Sequence, residues 1–405
     1  MKISIRAIAS RDELRVVSGL FAASLPNGHA PDRKRLHGWL ETSASCYPGF
    51  ESEHTRIAVR QKEVLGALRL VTDTIRIGET RLKAGKICWM ATADHTRKKG
   101  MAGRLLDDAM AYMRTRQYHV AMLFHVPGLH ERCGFTAALG DYAIVMDTLE
   151  ALTFEVPYKT RPARPGDIPA LLRLHNAGEA EASCSVVRVA GHFACKWECR
   201  SDIHVLLDDQ GRAVAYFMAC RDGNSLTILE SAVSGFDMTG GVVGACARIA
   251  ADASLSSIRF CAPPFHPLAR YLSQFDTRHE AHMGRKDAGM MAIVNLAETL
   301  EHLVPEWERR VAYSPARDER TEVTLAVGGR FCCVRTNRGA IDVTFRAGSG
   351  KVSLTENELM QLISGHAYVE NVLDTRRCIV PPSARALLAA IFPKRAPYVW
   401  PFDRF

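Results

Sequence analysis

The stretch of sequence that decides the fold is Asp-His-Thr-Arg-Lys-Lys-Gly-Met-Ala-Gly-Arg-Leu-Leu, residues 94–106. An apolar run typical of a β-strand, Ile87–Thr92, precedes it, and a helical pattern of apolar residues follows. The first N–H groups of a helix lack intrahelical partners, and the helix dipole adds positive charge there. A strand, a basic glycine turn and a helix in this order therefore predict an anion-binding site that suits a pyrophosphate. Gly100 allows close approach of the backbone to the ligand.

The turn reads Arg97-x-x-Gly100-x-Ala102, which resembles the acetyl-CoA signature of the GNAT acetyltransferase superfamily, Q/R-x-x-G-x-G/A. It is not a Walker loop, since no Gly-Lys-Ser/Thr closes it, and it has only one glycine at a Rossmann spacing. A basic helix start on a solvated face is the alternative. The resemblance implies an acetyl-CoA co-substrate that contacts the strand end and the turn, at Met90, Ala91, Thr92, Arg97, Lys98, Lys99, Gly100, Met101 and Ala102.

A second segment, after the expected helix, supports this interpretation. The apolar run Val120–Phe124 predicts a buried parallel strand. GNAT enzymes end their cofactor half with Tyr-x-x-x-Gly-Phe, and this chain has Gly134 and Phe135 at the matching places. The tyrosine position is occupied by His130, which is the main departure from the family pattern.

Composition narrows the class of protein. The chain has 405 residues, of which 47% are hydrophobic and 24% are charged, as is usual for globular proteins. No apolar run approaches the roughly 18 residues of a membrane span, and the N-terminus lacks the apolar core of a signal peptide. We therefore expect a cytoplasmic protein without membrane association. The net charge of +8 is scattered and has no aromatic platform beside it, so nucleic acid is not an expected partner.

The 12 cysteines favour free thiols, because most of them lie inside apolar runs. One cluster could be compared with metal-site spacings: His192, Cys195, Cys199 and His204. Its spacing matches no common zinc finger, and the cysteines fall in a helical pattern. We therefore expect no metal.

The first of three predicted segments is residues 1–150, the catalytic GNAT-like domain. It should contain a strand at Ile3–Ile8, a helix at Arg11–Leu25 and a hairpin from Thr55 to Leu70. Residues 27–53 read as irregular, with apolar anchors that either line a substrate pocket or fill the core: Trp39, Tyr47 and Phe50. Tyr142–Met146 is expected to close the sheet.

The second segment is residues 151–293, whose opening at Arg161 resembles the start of another GNAT domain. Its central strands are predicted at Ile203–Leu207, Ala213–Cys220 and Ser225–Ser234. The turn that follows, 235–241, has no basic residue that could hold a pyrophosphate. We therefore expect a degenerate, non-catalytic domain.

The third segment, residues 294–405, begins with a helix at Asn295–Arg310. Four runs then alternate at period two and predict an antiparallel sheet, followed by helices at Glu356–Ser364 and Ser383–Phe392. This segment resembles the sterol-carrier-protein-like domain of some acetyltransferases. The predicted class is α/β (α+β), with two GNAT-like mixed-sheet domains before this small domain.

This arrangement resembles the Eis-type (enhanced intracellular survival) acetyltransferases. The resemblance implies a homo-oligomer that moves acetyl from acetyl-CoA to a primary amine of a small molecule, such as an amino sugar, an aminoglycoside or an amino acid derivative. It also implies a base from the C-terminal carboxylate, here Phe405, and an acid at the tyrosine position, here His130.

The chemistry gives some independent support. An ammonium group must lose a proton before it attacks a thioester, and no acid lies between Glu79 and Asp94 on the cofactor strand. A base from elsewhere is therefore favoured. The tail 397–405 is aromatic and proline-stiffened, as if docked, although it could pack on its own domain. Asp403 is a second candidate base.

Several alternatives stay open at this stage. His130 is either the acid or an ordinary surface histidine, with His125 the next candidate, and Cys133 as an acyl-carrying nucleophile is disfavoured because GNAT transfer is direct. Arg404 and the basic first segment argue against a polycationic acceptor. A protein of another class, a non-catalytic acyl-CoA or lipid-binding protein, is the alternative function.

Overall fold

The computed structural model describes residues 3–24, 33–124, 133–178, 182–197, 202–283 and 289–404, with the backbone alone for 33–36 and 43–45. The chain divides into two compact units. Unit 1 comprises Met1–Leu139 and Gly284–Arg395, and unit 2 comprises Gly140–Met283 and Ala396–Phe405. This division differs from the three predicted segments, because most of the third segment clusters with the first and its last residues cluster with the second.

Unit 1 begins with the elements that hold the cofactor turn. The strands and helices of its first part are β1 (Ser4–Ala7), α1 (Arg11–Ser24), α2 (Arg33–Cys46), β2 (Thr55–Arg60), β3 (Glu63–Ile77), β4 (Thr80–Thr92), α3 (Met101–Thr115), β5 (Val120–Leu123) and β6 (Thr136–Ala137). The predicted strand, helix, hairpin and cofactor elements are confirmed. The irregular assignment of 27–53 is wrong over α2, whose sequence has too few apolar residues to show a helical stripe.

The first sheet has the strand order β1–β2–β3–β4–β5, followed by β15 (Met290–Ile293) and β6. Its strands are antiparallel except for β4 and β5, which run parallel as predicted. Tyr142–Met146 does not close this sheet, because that strand pairs within unit 2 and β15 lies beside β5 instead. The prediction failed because an apolar strand carries no local mark of which sheet it joins.

The first sheet is covered on both faces. One face packs against α3 through Leu105, Ala109 and Met113, which contact Leu68 and Leu70. The other face packs against α1, through residues that include Val17 and Phe21. These two faces are named here the α3 face and the α1 face.

Unit 2 contains β7 (Asp141–Asp147), α4 (Thr148–Ala151), β8 (Lys159–Pro162), α5 (Ile168–Gly178), β9 (Ser183–Val186), α6 (Ala190–Lys196), β10 (Asp202–Leu207), β11 (Ala213–Asp222), β12 (Ser225–Val233), α7 (Thr239–Asp252), β13 (Ser257–Phe260), α8 (Pro267–Leu272) and β14 (Arg278–His282). The sheet order is β14–β7–β13–β12–β11–β10–β8. The predicted strands at 203–207, 213–220 and 225–234 are confirmed. Its core holds two aromatic residues of the C-terminal tail, Tyr398 and Trp400.

The rest of unit 1 follows β15. It consists of α9 (Leu296–Ala312), β16 (Arg320–Val327), β17 (Arg330–Asn337), β18 (Ala340–Thr344), β19 (Lys351–Leu354), α10 (Glu356–Ser364), α11 (Val369–Thr375) and α12 (Pro382–Ile391). The predicted elements are present, and α11 was missed. The sheet is mixed rather than antiparallel, since the chain crosses from β18 to the far side of β16 and β19 runs parallel to β16.

The two large sheets repeat one local pattern. In the first sheet Arg69 pairs with Trp89 and Leu70 with Ile87, which leaves Cys88 as a bulge in β4 before the parallel partner β5 ends. In the second sheet Met218 pairs with Glu230 and Ala219 with Ile228, which leaves Leu229 as a bulge in β12 beside its parallel partner β13. The predicted α/β class with mixed sheets is confirmed.

Candidate acyl-CoA site

The turn after β4 has a backbone that requires its glycine. A short 3-10 helix, Asp94–Thr96, leads into it, and the Thr96 hydroxyl fixes it to β3 by donating to the Leu65 carbonyl at 2.9 Å. Lys98 and Gly100 both adopt left-handed conformations, with φ of 61° and 73°. A Cβ on Gly100 would meet nothing within 4 Å, so the space in front of the helix start is open. The N–H groups of the first turn of α3 face outward from this point.

The basic residues of this turn are exposed to solvent. Arg97 Nη2 lies 2.8 Å from Asp94 Oδ1, so part of its charge is already balanced. Lys98 and Lys99 form no ion pair with any described residue. The open positive charge at the start of α3 therefore comes mainly from these two lysines.

The strand end beside the turn also offers unpaired backbone. Pairing between β4 and β5 stops at Ile87 and Leu123, while β4 continues to Thr92. Over residues 88–92, one edge of β4 pairs with β3, and no described strand pairs with its other edge. The predicted contact residues Met90, Ala91 and Thr92 lie on this stretch, just beyond the bulge at Cys88. Their backbone groups can bind an extended amide chain by the hydrogen bonds of a β-ladder.

The second predicted segment is only partly described. Gly134 has a left-handed φ of 79°, and Phe135 is fully buried in the core between the sheet and α3. His130 and His125 lie outside the described residues, so their roles stay predictions. Burial, with the nearby Asp107, raises the pKa of the Cys133 thiol to about 11. A thiol that stays protonated at neutral pH is a poor nucleophile, which agrees with its rejection as an acyl carrier.

The C-terminal tail is docked, and the described part of it packs within unit 2. Tyr398, Val399 and Trp400 are buried, and Arg404 Nη2 lies 2.6 Å from Asp141 Oδ1. Asp403, the second candidate base, is buried and receives two hydrogen bonds from Arg188, at 2.9 and 2.7 Å. A carboxylate held in this way cannot accept a substrate proton without losing its ion pair. Phe405 itself lies outside the described residues.

The sequence did not reveal which charged side chains are buried on the α1 face. Lys86 of β4 and Asp73 of β3 form an ion pair of 2.7 Å with no exposure of either side chain, and Tyr47 donates to the same carboxylate at 2.9 Å. Arg69 of β3 lies on this face as well. The alternation of side chains along a strand could have placed Arg69 and Asp73 together, because residues 69, 71 and 73 lie on one face of β3.

Two further site types were sought among the described side chains. No group of three or more His, Cys, Asp or Glu residues is arranged to hold a metal there, and Cys199 of the cluster considered above is not described. The 11 described cysteines are free thiols. No helix in the described ranges has the length and apolar character needed to cross a membrane.

Comparison with known families bears on the same part of the chain. Residues 10–138 match the family model described as acetyltransferase (GNAT) domain. This part of the chain is similar to a GNAT acetyltransferase domain. The matched region begins just before α1 and ends just after β6, so it includes the turn and both strands described above but not β1. The prediction of an acetyltransferase enzyme is confirmed, and an acyl-CoA is the family's co-substrate.

Solved structures show the same fold over the whole chain. GCN5-related N-acetyltransferases from Kribbella flavida and Anabaena variabilis superpose with TM-scores of 0.74 and 0.75 at 15% and 14% identity, with 100% of each chain covered. Eis1 from Mycobacterium abscessus gives a TM-score of 0.65 at 13% identity and covers 99% of this chain and 100% of its own. No functionally curated protein matches the chain in sequence. At these identities the similarity establishes the fold of the GNAT-containing chain.

Proposed function

We propose that the GNAT domain binds acetyl-CoA at residues 90–92 and 97–102 and transfers its acetyl group directly to a primary amine of a small molecule. The observation that carries this proposal is the free edge of β4 beside a basic, glycine-containing helix start. The turn 97–102 would bind the pyrophosphate through N–H groups and the Lys98 and Lys99 charges. The β4 edge would bind the amide-containing arm of the cofactor and direct the thioester towards the bulge at Cys88.

In this scheme the amine nitrogen attacks the thioester carbonyl, the carbon–sulfur bond breaks, and the CoA thiolate takes up a proton. A backbone N–H near the bulge would stabilise the oxyanion of the tetrahedral intermediate. The amine must first lose a proton, and the sequence of β4 contains no carboxylate. The two acids of β3 both form ion pairs, Glu63 with Arg60 and Asp73 with Lys86. A base from outside these two strands is therefore needed.

We propose the C-terminal carboxylate of Phe405 as this base, as the resemblance to Eis-type enzymes implies. The residues that precede it support the proposal, since Arg188 holds Asp403 and Asp141 holds Arg404. Adding two glycines after Phe405 keeps every tail contact and moves only the carboxylate. We expect this extension to lower kcat by about 100-fold or more while acetyl-CoA affinity is unchanged. Unchanged kcat would rule out the terminal carboxylate.

We also propose His130 as the acid that protonates the leaving thiolate, in place of the family's tyrosine. A neutral-range imidazole can perform this step. His130→Ala should then lower kcat by about 100-fold at pH 7 and change the alkaline limb of the kcat profile. His125→Ala tests the next candidate in the same way, and His279→Ala, at an exposed histidine of unit 2, serves as the control. Equal kcat and equal pH profiles for wild type and His130→Ala would remove this histidine from the mechanism.

Other features of the Eis-type resemblance are also proposals. Unit 2 would be a diverged GNAT-like half, which the shared bulge and parallel strand pair support. The part of unit 1 after α9 would be the sterol-carrier-like segment, and the chain would form a homo-oligomer. Amino sugars, aminoglycosides and amino acid derivatives are the acceptor classes to be tested, by following CoA release from acetyl-CoA. Binding of acetyl-CoA without turnover on any of these amines would favour a non-catalytic acyl-CoA-binding protein.

A further inference from the structure

The α1 face of the first sheet contains a buried cation, Arg69, that has no counter-charge among the described residues. Arg69 has 3% of its surface exposed and pairs across the sheet with Trp89, next to the bulge at Cys88. Its Nη1 donates to the Leu40 carbonyl at 2.8 Å, and its guanidinium centre lies 5.5 Å from the centre of the Phe21 ring. Its Nε and Nη2 have no hydrogen-bond partner. No described carboxylate forms an ion pair with this side chain.

The two unpaired nitrogens form the edge that other arginines of this protein use to hold carboxylates. Arg188 binds Asp403 through Nε at 2.9 Å and Nη2 at 2.7 Å. Arg376 binds Glu358 through the same two atoms at 2.7 and 2.8 Å. The N–H bonds of this edge are parallel and match the two oxygens of one carboxylate. The same edge of Arg69 is buried and has no carboxylate among the described residues.

Two further donors without a partner among the described residues belong to the β2 residue that pairs with Arg69 and to the residue before Leu40. Thr55 is its direct partner on β2, and the buried Thr55 hydroxyl has no hydrogen-bond partner. The indole N–H of Trp39, on α2 immediately before Leu40, is also buried and unpaired. Each of these groups can donate, and a cluster of unmet donors calls for an acceptor with several lone pairs. Asp73 lies four residues after Arg69 on the same face of β3, and its carboxylate already forms an ion pair with Lys86.

Burial does not remove the charge of Arg69. It lowers the pKa of the guanidinium to about 10, which still leaves the group protonated at neutral pH. A buried charge without a partner opposes folding, and proteins keep such groups mainly where a ligand supplies the missing partner. A pyrophosphate is not that ligand in the proposed scheme, because Arg69 lies on the α1 face and the cofactor turn leads into α3 on the opposite face.

We propose that Arg69, with Thr55 and Trp39, binds a carboxylate of the acyl acceptor, so that the acceptor is an amino carboxylate such as an amino acid or a derivative of one. This inference rests on the proposed function, since it names the substrate class of the same site. The pairing of Arg69 with Trp89, beside the bulge, places the carboxylate subsite close to the strand that would hold the thioester. An acceptor with its amine and carboxylate on one small molecule fits that closeness.

Binding of reaction products tests this proposal without requiring turnover. N-acetyl derivatives of the common amino acids, each as free acid and as carboxamide, would be titrated by calorimetry into the full-length protein saturated with CoA. At least one acid should bind about 10- to 100-fold more tightly than its amide, the range for a buried hydrogen-bonded ion pair. Equal affinity for every acid and its amide, or no binding by any of them, would overturn the proposal.

Variants locate the preference at Arg69. Arg69→Met should abolish the preference for the acid, and its melting temperature without ligand should not fall, because an unpaired charge is removed from the interior. Arg69→Lys keeps the charge, loses the two-pronged edge and should retain only a small preference. Arg60→Met, at an exposed arginine of the same hairpin, is the matched control and should keep the full preference. A preference that survives in Arg69→Met would contradict the proposal.

The outcome is separable from that of the proposed function. Acetyl-CoA affinity, measured without acceptor, depends on the turn at 97–102 and not on Arg69. If acetyl-CoA binds but acids and amides bind alike, the carboxylate subsite is wrong and the cofactor site stands.

Discussion

Unit 1 and unit 2 share a bulged strand beside a parallel partner, but they differ in what lies next to the bulge. In unit 2, Glu230 follows the bulge and is held by Arg188, which also holds Asp403 of the tail. Burial alone would raise the pKa of Glu230, yet the Arg188 charge keeps that pKa well below its ordinary value. In unit 1 the residue beside the bulge is Trp89, and Arg69 opposite it has no carboxylate partner in the part of the chain that the structure describes. The chain thus supplies its own counter-charge in one unit and leaves it to a ligand in the other.

The turns after the two bulged strands also differ in charge. The first has Arg97, Lys98 and Lys99 before α3, whereas the second, residues 235–241, has no basic residue and contains Asp237. Both lead into a helix, so both present free N–H groups. Only the first adds the positive charge that a pyrophosphate needs. The two bulged strand pairs therefore share a local geometry and differ in the charged side chains that follow them.

The largest expected effect concerns the buried ion pairs that Arg188 forms with Glu230 and Asp403 in unit 2. Arg188→Met removes the positive charge that binds both buried carboxylates, Glu230 and Asp403, and should reduce the stability of unit 2 by about 3–5 kcal/mol. Hydrogen exchange of peptides from unit 2, resolved by mass spectrometry, measures this loss as a free energy of opening.

Arg212→Met is the matched control, because Arg212 also pairs with an aspartate but is 70% exposed. It should change stability by no more than about 0.5 kcal/mol. A loss of stability below about 1 kcal/mol in Arg188→Met would mean that the buried carboxylates do not depend on this arginine. The contrast between Arg188, which has carboxylate partners, and Arg69 would then lose its meaning.

A smaller effect is expected from the charge of the first turn. Lys98→Glu combined with Lys99→Glu should weaken acetyl-CoA binding by about 10- to 100-fold, since each exposed charge contributes up to about 1 kcal/mol. The wild-type affinity should also fall as salt is added, and less so in the double variant. Lys62→Glu, at another exposed lysine of unit 1, should leave the affinity unchanged. Equal affinities for all three proteins would show that the turn does not bind the phosphates.

The sequence predicted the parts of the molecule that depend on neighbouring residues. The strand, basic turn and helix around Gly100 could be recognised because charge, glycine and apolar spacing all lie within a short stretch. The aromatic tail left two alternatives open, docking at the active site or packing on its own segment, and the structure shows its residues 398–404 packed within unit 2. The sequence could not predict that β15 rather than β7 would lie beside β5, since the pairing of Met290–Ile293 with Val120–Leu123 joins residues far apart in the chain.

The partners of the buried charged side chains could not be predicted for the same reason. Arg188 and Asp403 are 215 positions apart, so no local pattern joins them. Arg69 was visible as a charged residue in an alternating apolar strand, but its lack of a partner depends on four elements: α1, α2, β2 and β3. Asp403 was therefore mistaken for a free base, and Arg69 was overlooked.

The central claim is that acetyl-CoA binds at the turn before α3, and calorimetry of acetyl-CoA with wild type and Gly100→Glu tests it most directly. The glutamate side chain would enter the open space in front of the helix start and bring negative charge. Gly100→Ala and Gly211→Glu are the controls: the first has the same backbone strain without the charge, and the second places a glutamate at a left-handed glycine of unit 2, where φ is 74°. We predict that wild type and both controls bind acetyl-CoA and that Gly100→Glu loses at least about 100-fold in affinity. Absence of binding by the wild type, or equal binding by Gly100→Glu, would contradict the account.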